Sequence, residues 1–276
     1  MTTNSIMRRV NELAAMRGFR NLLRKENQSW WGTRRWWINA LLWTGMLSGL
    51  AAVMLFVLPA LAEASGDPSV AALGGPLTFA MEMGRSVFFE FGTLAIAIGV
   101  IVLTQDAIVE EKQLGLTEWL LAKPVTRRAY ILAKLVAALT GVLVLLVLLP
   151  ALVTYGLFCL RLGQAFPLPA FLLGTGILAL HSVYYLCFTL MLGTIFSSRS
   201  PIMGLAVGML LGGNLLASLV KPLMFFTPWV MGKISSLAVG GQPIPDGLLW
   251  PPLTATLLWS VGFILVALRR FEKTEF

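Results

Sequence analysis

The sequence predicts an all-α integral membrane protein with six transmembrane helices, and three observations carry that prediction. Of its 276 residues, 57% are hydrophobic and 12% charged, at a mean hydropathy of +0.81; ordinary soluble domains carry about 25% charged residues. Five stretches long enough to cross about 30 Å of hydrocarbon contain no Asp, Glu, Lys or Arg, and a sixth contains only Glu90. The basic residues fall between these stretches, so the net charge of +8 points to lipid headgroups at one membrane face and not to nucleic acid.

The chain reads as one transmembrane domain, 1–276, opening with a basic cytoplasmic or interfacial segment, 1–36. From Ala15 to Lys25 the spacing is helical: Arg17, Arg20 and Arg24 share one face, opposite Ala15, Phe19 and Leu22, the pattern of an amphipathic helix lying in the interface. Its arginines face headgroups or an adjacent protein. A long basic lead-in argues against a secretory signal peptide, and Trp30, Trp31, Trp36 and Trp37 fit an aromatic belt at headgroup level.

The apolar stretches run Ile38 to Ala62, Ser86 to Gln105, Leu135 to Leu160, Leu162 to Ser198, Ser200 to Val220 and Gly247 to Leu268. The fourth is too long for one crossing; Gly163, Pro167 and Pro169 mark a turn, with the helix proper expected from near Phe171. Between spans five and six, the external segment 221–250 sets several prolines around an apolar piece, Phe225 to Leu237, too short to cross. It reads as one or two short helices re-entering the outer leaflet, acceptable only if protein buries the broken backbone. Six spans put both termini on one side. Seventeen Lys and Arg fall on that side, against Arg85, Arg161, Lys221 and Lys233 on the other, which places both termini in the cytoplasm of a plasma (inner) membrane protein.

Cys159 and Cys187 sit inside apolar runs and, with a single histidine, His181, offer neither a disulfide framework nor a metal site. The 12 methionines are read as adaptable packing. Ionisable or polar groups at membrane depth are expensive and become candidates for a gate or pathway: Glu90, His181, Asn214 and Lys221. Glu90 has Lys221 or Arg85 as partners for an outer-gate ion pair; the plainer alternative is that it reaches the headgroups or is protonated. For His181 and Asn214 the plainer alternative is helix packing. Gly204, Gly208 and Gly212 form two overlapping G-x-x-x-G motifs, suited either to close contact with a second membrane subunit or to packing within one.

One segment is dense in charge and amphipathic: the cytoplasmic stretch 106–134, DAIVEEKQLGLTEWLLAKPVTRRAYILAK. Glu110, Glu111 and Lys112 lead to Gly115, which permits a sharp turn. A short apolar helix is expected from Thr117 to Ala122, including Glu118 and stopped by Lys123 and Pro124. Its Trp119, Leu120 and Leu121 lie either in the interface or in a groove on a soluble partner, and Arg127 and Arg128 anchor the entry to span three.

Here the chain resembles the membrane subunits of type-2 ATP-binding-cassette (ABC) transporters, mostly exporters. The residues that carry the resemblance are Glu111-Lys112, Gly115, Glu118, Leu120-Leu121, Pro124, Thr126 and Arg127, with Leu116 where the family usually has Thr and Thr117 one place later. With the six spans, the basic interfacial helix and the broken external segment, it covers nearly the whole chain. It implies that this segment is a coupling helix seated in an ATP-binding subunit. It also implies two such ATPase subunits as partners, a second copy or a homologous permease beside this one, and ATP and Mg held by the partners with no cofactor in this chain.

The sequence agrees that ATP is used elsewhere. It has no phosphate-binding loop: Thr227 stands where Gly232-Lys233 would require the first glycine. The chain is therefore read as a non-enzymatic permease subunit that exports its substrate. The alternatives are a related complex using ATP hydrolysis for mechanical signalling, or a secondary transporter or channel. Nearly charge-free central thirds of the spans disfavour the latter, and no serine has the setting an intramembrane protease needs beside His181. Scant charge at mid-membrane favours a lipid-like, peptide or amphiphilic cargo.

Overall fold

The computed structural model describes residues 16–116, 125–245 and 247–273. Six helices are long and apolar enough to cross a membrane: Arg35–Ala64, Pro76–Gln113, Arg127–Leu162, Leu168–Ile195, Arg199–Leu219 and Trp250–Lys273, spans one to six. No strand occurs among the described residues. Spans two and three overrun the apolar stretches that announced them, because loss of hydrophobicity does not end a helix. Span two begins only after Gly74 and Gly75, both at positive φ, and stops at the turn before Gly115, φ 66°. Span four starts at Leu168, earlier than expected, since Pro169 lies in its first turn, where a missing N–H costs nothing.

Span four is the central post. Of its most apolar window 67% is buried inside the chain, against 22% for span one and 28% each for spans five and six. Tyr184 and Phe188 on span four meet Phe263 on span six at ring distances of 5.3 and 5.0 Å. Phe88 and Phe89 of span two close around Phe171. The connections are unequal. Spans three and four are joined by Gly163–Pro167, with Gly163 at φ 73°, and spans four and five by Phe196 to Ser198 alone. Between spans five and six the chain forms short helices, Leu223–Phe226 and Met231–Val239, around a 3-10 turn at Pro228–Val230. Met231–Val239 packs on span four, where Ser235 Oγ donates to the Gly174 carbonyl at 2.8 Å.

Three π-helical turns interrupt the spans, at Val53–Val57, Ser86–Phe91 and Leu143–Leu148. The first and third end two residues before Pro59 and Pro150; the widened turn accommodates a ring that would otherwise strike the carbonyl four residues back. The second has no proline to explain it and contains Glu90.

The helix before span one runs Phe19–Trp31, later than the sequence pattern indicated. Gly18, at φ 84°, starts it, so Arg17 lies in the preceding turn and does not share the helical face of Arg20 and Arg24. Leu22 is buried, and Trp30 turns inward onto span three, flush against Gly141, where any Cβ would strike its ring. Gly141→Val should therefore destabilise the protein by about 1–3 kcal/mol, read as a lowered melting temperature in detergent. An unchanged melting temperature would show that the Trp30 contact is dispensable.

Candidate functional site

The connection between spans two and three enters through Asp106–Gln113, the last two turns of span two. Glu111 there is the hub of a charge network. Its carboxylate accepts from Tyr130 Oη at 2.5 Å, lies 3.0 Å from Lys134 Nζ and pairs with Lys25. Lys134, one turn after Tyr130 on span three, also bonds Glu26 at 3.0 Å and is only 3% exposed. Three elements thus meet on one ammonium: the interfacial helix, the end of span two and the start of span three. Tyr130 in turn stacks on Phe271 of span six at 5.1 Å.

Neighbouring residues tie the same connection to the rest of the bundle. Lys112 Nζ donates to the carbonyls of Gly193 and Thr194 at 2.9 and 3.0 Å, satisfying acceptors that the end of span four leaves open. Asp106 and Arg199, which begins span five, pair at 2.8 Å. Glu110 is exposed beside a cleft of about 180 Å³ that Arg35 and Asp106 also line. On the exit side Thr126 Oγ1 accepts from Ala129 N at 3.2 Å, capping span three, while its own N–H donates to the Arg17 carbonyl at 3.1 Å. A Cβ on Gly18 would lie 2.7 Å from Val125, so only glycine lets these two segments touch. Arg127 donates to the Glu272 carbonyl at 2.6 Å and Arg128 pairs with the Glu272 side chain. Both described chain ends therefore meet the span two–three connection at one end of the bundle.

Of the residues predicted for this connection, Glu110, Glu111, Lys112, Gly115 and Arg127 are placed. Thr117, Glu118, Trp119, Leu120, Leu121 and Pro124 lie outside the described residues. Lys134 was expected to mark headgroup level; it is instead the buried centre of the network. The available signal was its distance from Tyr130, four residues and hence the same helical face, together with Glu26 standing alone as an acid in a basic segment.

At the opposite end, Glu90, His181 and Asn214 line one chamber of about 430 Å³ between spans two, four and five, joined by Trp229 and Lys233 of the segment before span six. Lys221 sits in the turn after span five and is not part of it. Neither expected partner pairs with Glu90 among the described residues, because Arg85 is buried and bound to Glu82 on its own helix. A Cβ placed on Gly204, Gly208 or Gly212 would meet nothing within 4 Å; this stripe of span five is not used for packing within the chain. Among the described residues no group of three or more His, Cys, Asp and Glu is gathered as a metal site requires.

A six-helix membrane bundle whose chain ends and one amphipathic connection are bound together at a single end is the architecture of a transport permease. The chain belongs to the ABC-2 family: the family model described as ABC-2 family transporter protein matches residues 20–276. It is thus a membrane subunit of an ABC transporter. No curated protein matches it.

The network makes a sharp energetic statement. Removing one partner of a buried ion pair typically costs about 3–5 kcal/mol because the other charge is stranded. Lys134→Met should accordingly lose most folded protein, measured as monodisperse yield in detergent, and adding Glu111→Gln with Glu26→Gln should recover much of it. Recovery failing in the triple variant would show that Lys134 acts through something other than these carboxylates.

Proposed function

We propose that this chain is the permease subunit of an ATP-driven exporter in the plasma membrane, with both termini in the cytoplasm. The span two–three connection is the coupling helix that receives force from separate ATP-binding subunits. The observation that carries this is the bracing of both flanks of the connection. Lys112, Glu111 and Asp106 tie its entry to spans three, four and five, and Thr126, Arg127 and Arg128 tie its exit to the interfacial helix and span six. A displacement applied to residues 117–124 is thereby delivered to the whole bundle.

Two ATPase subunits, each holding ATP and Mg, supply the energy, since the sequence offers no phosphate loop. Glu118, Trp119, Leu120 and Leu121 are the docking residues, while Arg20 and Arg24, both exposed, face headgroups. The open glycine stripe of span five favours contact with a second permease copy, because close helix approach is what such a stripe permits.

Purification in mild detergent should bring down an ATPase subunit, and the pair Trp119→Asp with Leu120→Asp should release it while the permease stays folded. Retention of the ATPase in that variant would remove the docking assignment. Gly208→Cys should form a disulfide-linked pair of chains under mild oxidation; no linked species, or only links to a different polypeptide, would exclude contact between identical copies there.

A further inference from the structure

The chamber at the far end holds two opposite charges that satisfy nothing. Glu90 and Lys233 both line it, both are exposed, and among the described residues neither forms an ion pair with the other or with anything else. A charge at membrane depth without a partner is costly, so a folded state that keeps two in one recess is built for a third party. His181 reinforces this. It is 1% exposed on the chamber wall, and its Nδ1 has no hydrogen-bond partner. Asn214 commits its amide nitrogen to the Leu210 carbonyl at 2.7 Å.

The backbone around Glu90 is shaped for the purpose. Glu90 rides on the one π-helical turn that no proline explains, and such turns concentrate at functional sites. The helix Met231–Val239 lies directly against that turn. A Cβ on Gly232 would come within 3.2 Å of the Glu90 Cα and 3.1 Å of Thr93 Oγ1, so glycine lets Lys233 approach on the adjoining backbone. The opening lies between spans two and five, and the exposed apolar side chains Phe91, Ile98 and Val102 continue down span two from it.

We propose that this chamber binds the zwitterionic head of an amphiphile, its cationic group at Glu90 and its anionic group at Lys233, with the acyl chain along the apolar face of span two. This rests on the permease reading and names the class of molecule the permease handles. The recess suits it in size, since small-molecule sites run from about 300 to 1,000 Å³. A purely cationic or anionic head would leave one of the two protein charges stranded.

The test uses the assembled complex without ATP, in nanodiscs of phosphatidylglycerol so that no zwitterionic lipid competes. The probe is lysophosphatidylethanolamine with a photoactivatable acyl chain, and labelled peptides are mapped by mass spectrometry. Labelling should fall on spans two and five, and unlabelled lysophosphatidylethanolamine should compete where lysophosphatidylglycerol of the same chain length does not. Glu90→Gln and Lys233→Gln should each weaken labelling about tenfold, as loss of a charge-assisted hydrogen bond implies. The exchanged pair, Glu90→Lys with Lys233→Glu, should restore it.

A diacyl phosphatidylethanolamine probe runs in parallel. Equal labelling identifies bilayer lipid as the occupant, and labelling by the single-chain probe alone identifies a cargo; either supports the zwitterionic site. Equal competition by lysophosphatidylglycerol, or undiminished labelling in both single variants, overturns it. ATPase retention is scored in the same samples, so loss of the ATPase with labelling intact would count against the permease reading and leave this site standing.

Discussion

An ammonium cannot be buried unaccompanied, and Lys134 is buried. That constraint organises one whole end of the protein. Carboxylates must be brought to it from elsewhere in the chain, and they come from Glu26 on the interfacial helix and Glu111 at the end of span two. Neither helix can be where it is without the other. Such a network is poor evidence of extra stability, since apolar residues often pack as well, but it specifies position. Only one arrangement of the three elements satisfies every charge, and that arrangement holds the span two–three connection on a fixed base.

The far end follows a different logic. There the broken backbone of the segment before span six is covered by protein, with Val230, Met231 and Ile234 buried against Ile177 and Leu248. Glycines permit the approach: Gly174 receives the Val239 and Ser235 side chains, and Gly213 accepts the Trp229 ring. Polar groups at this end are left open toward a chamber instead of being paired off. One end of the bundle is thus electrostatically closed and the other electrostatically open, a division suited to a machine driven from one face and loaded within the membrane.

Much of this was legible in the amino-acid order, for identifiable reasons. The spans were, because twenty uncharged residues in a row have few other uses. Gly115 was, since its place between a charged turn and an apolar one demands a bend, and its φ of 66° supplies it. The helix ends were not: Asp106–Gln113 and Arg127–Lys134 remain helical although polar, because their charges find partners on other elements. Those partners lie roughly a hundred residues away in sequence, as with Glu26 and Lys134, where no local pattern reaches. For the same reason the Glu90 neighbourhood was misjudged. Sequence proximity to a span end suggested Lys221 or Arg85, whereas folding of the external segment brings Lys233.

The three-residue link between spans four and five has a mechanical corollary. Ile195 and Arg199 are joined by so little chain that their Cα atoms can never part by more than about 14 Å, at 3.3–3.6 Å per fully extended residue. Any motion between these helices must therefore pivot near that link, like dividers opening from their joint. The tips of the dividers are the ends that flank His181 and Asn214, so the widest excursion available to the pair occurs where the unpaired charges wait.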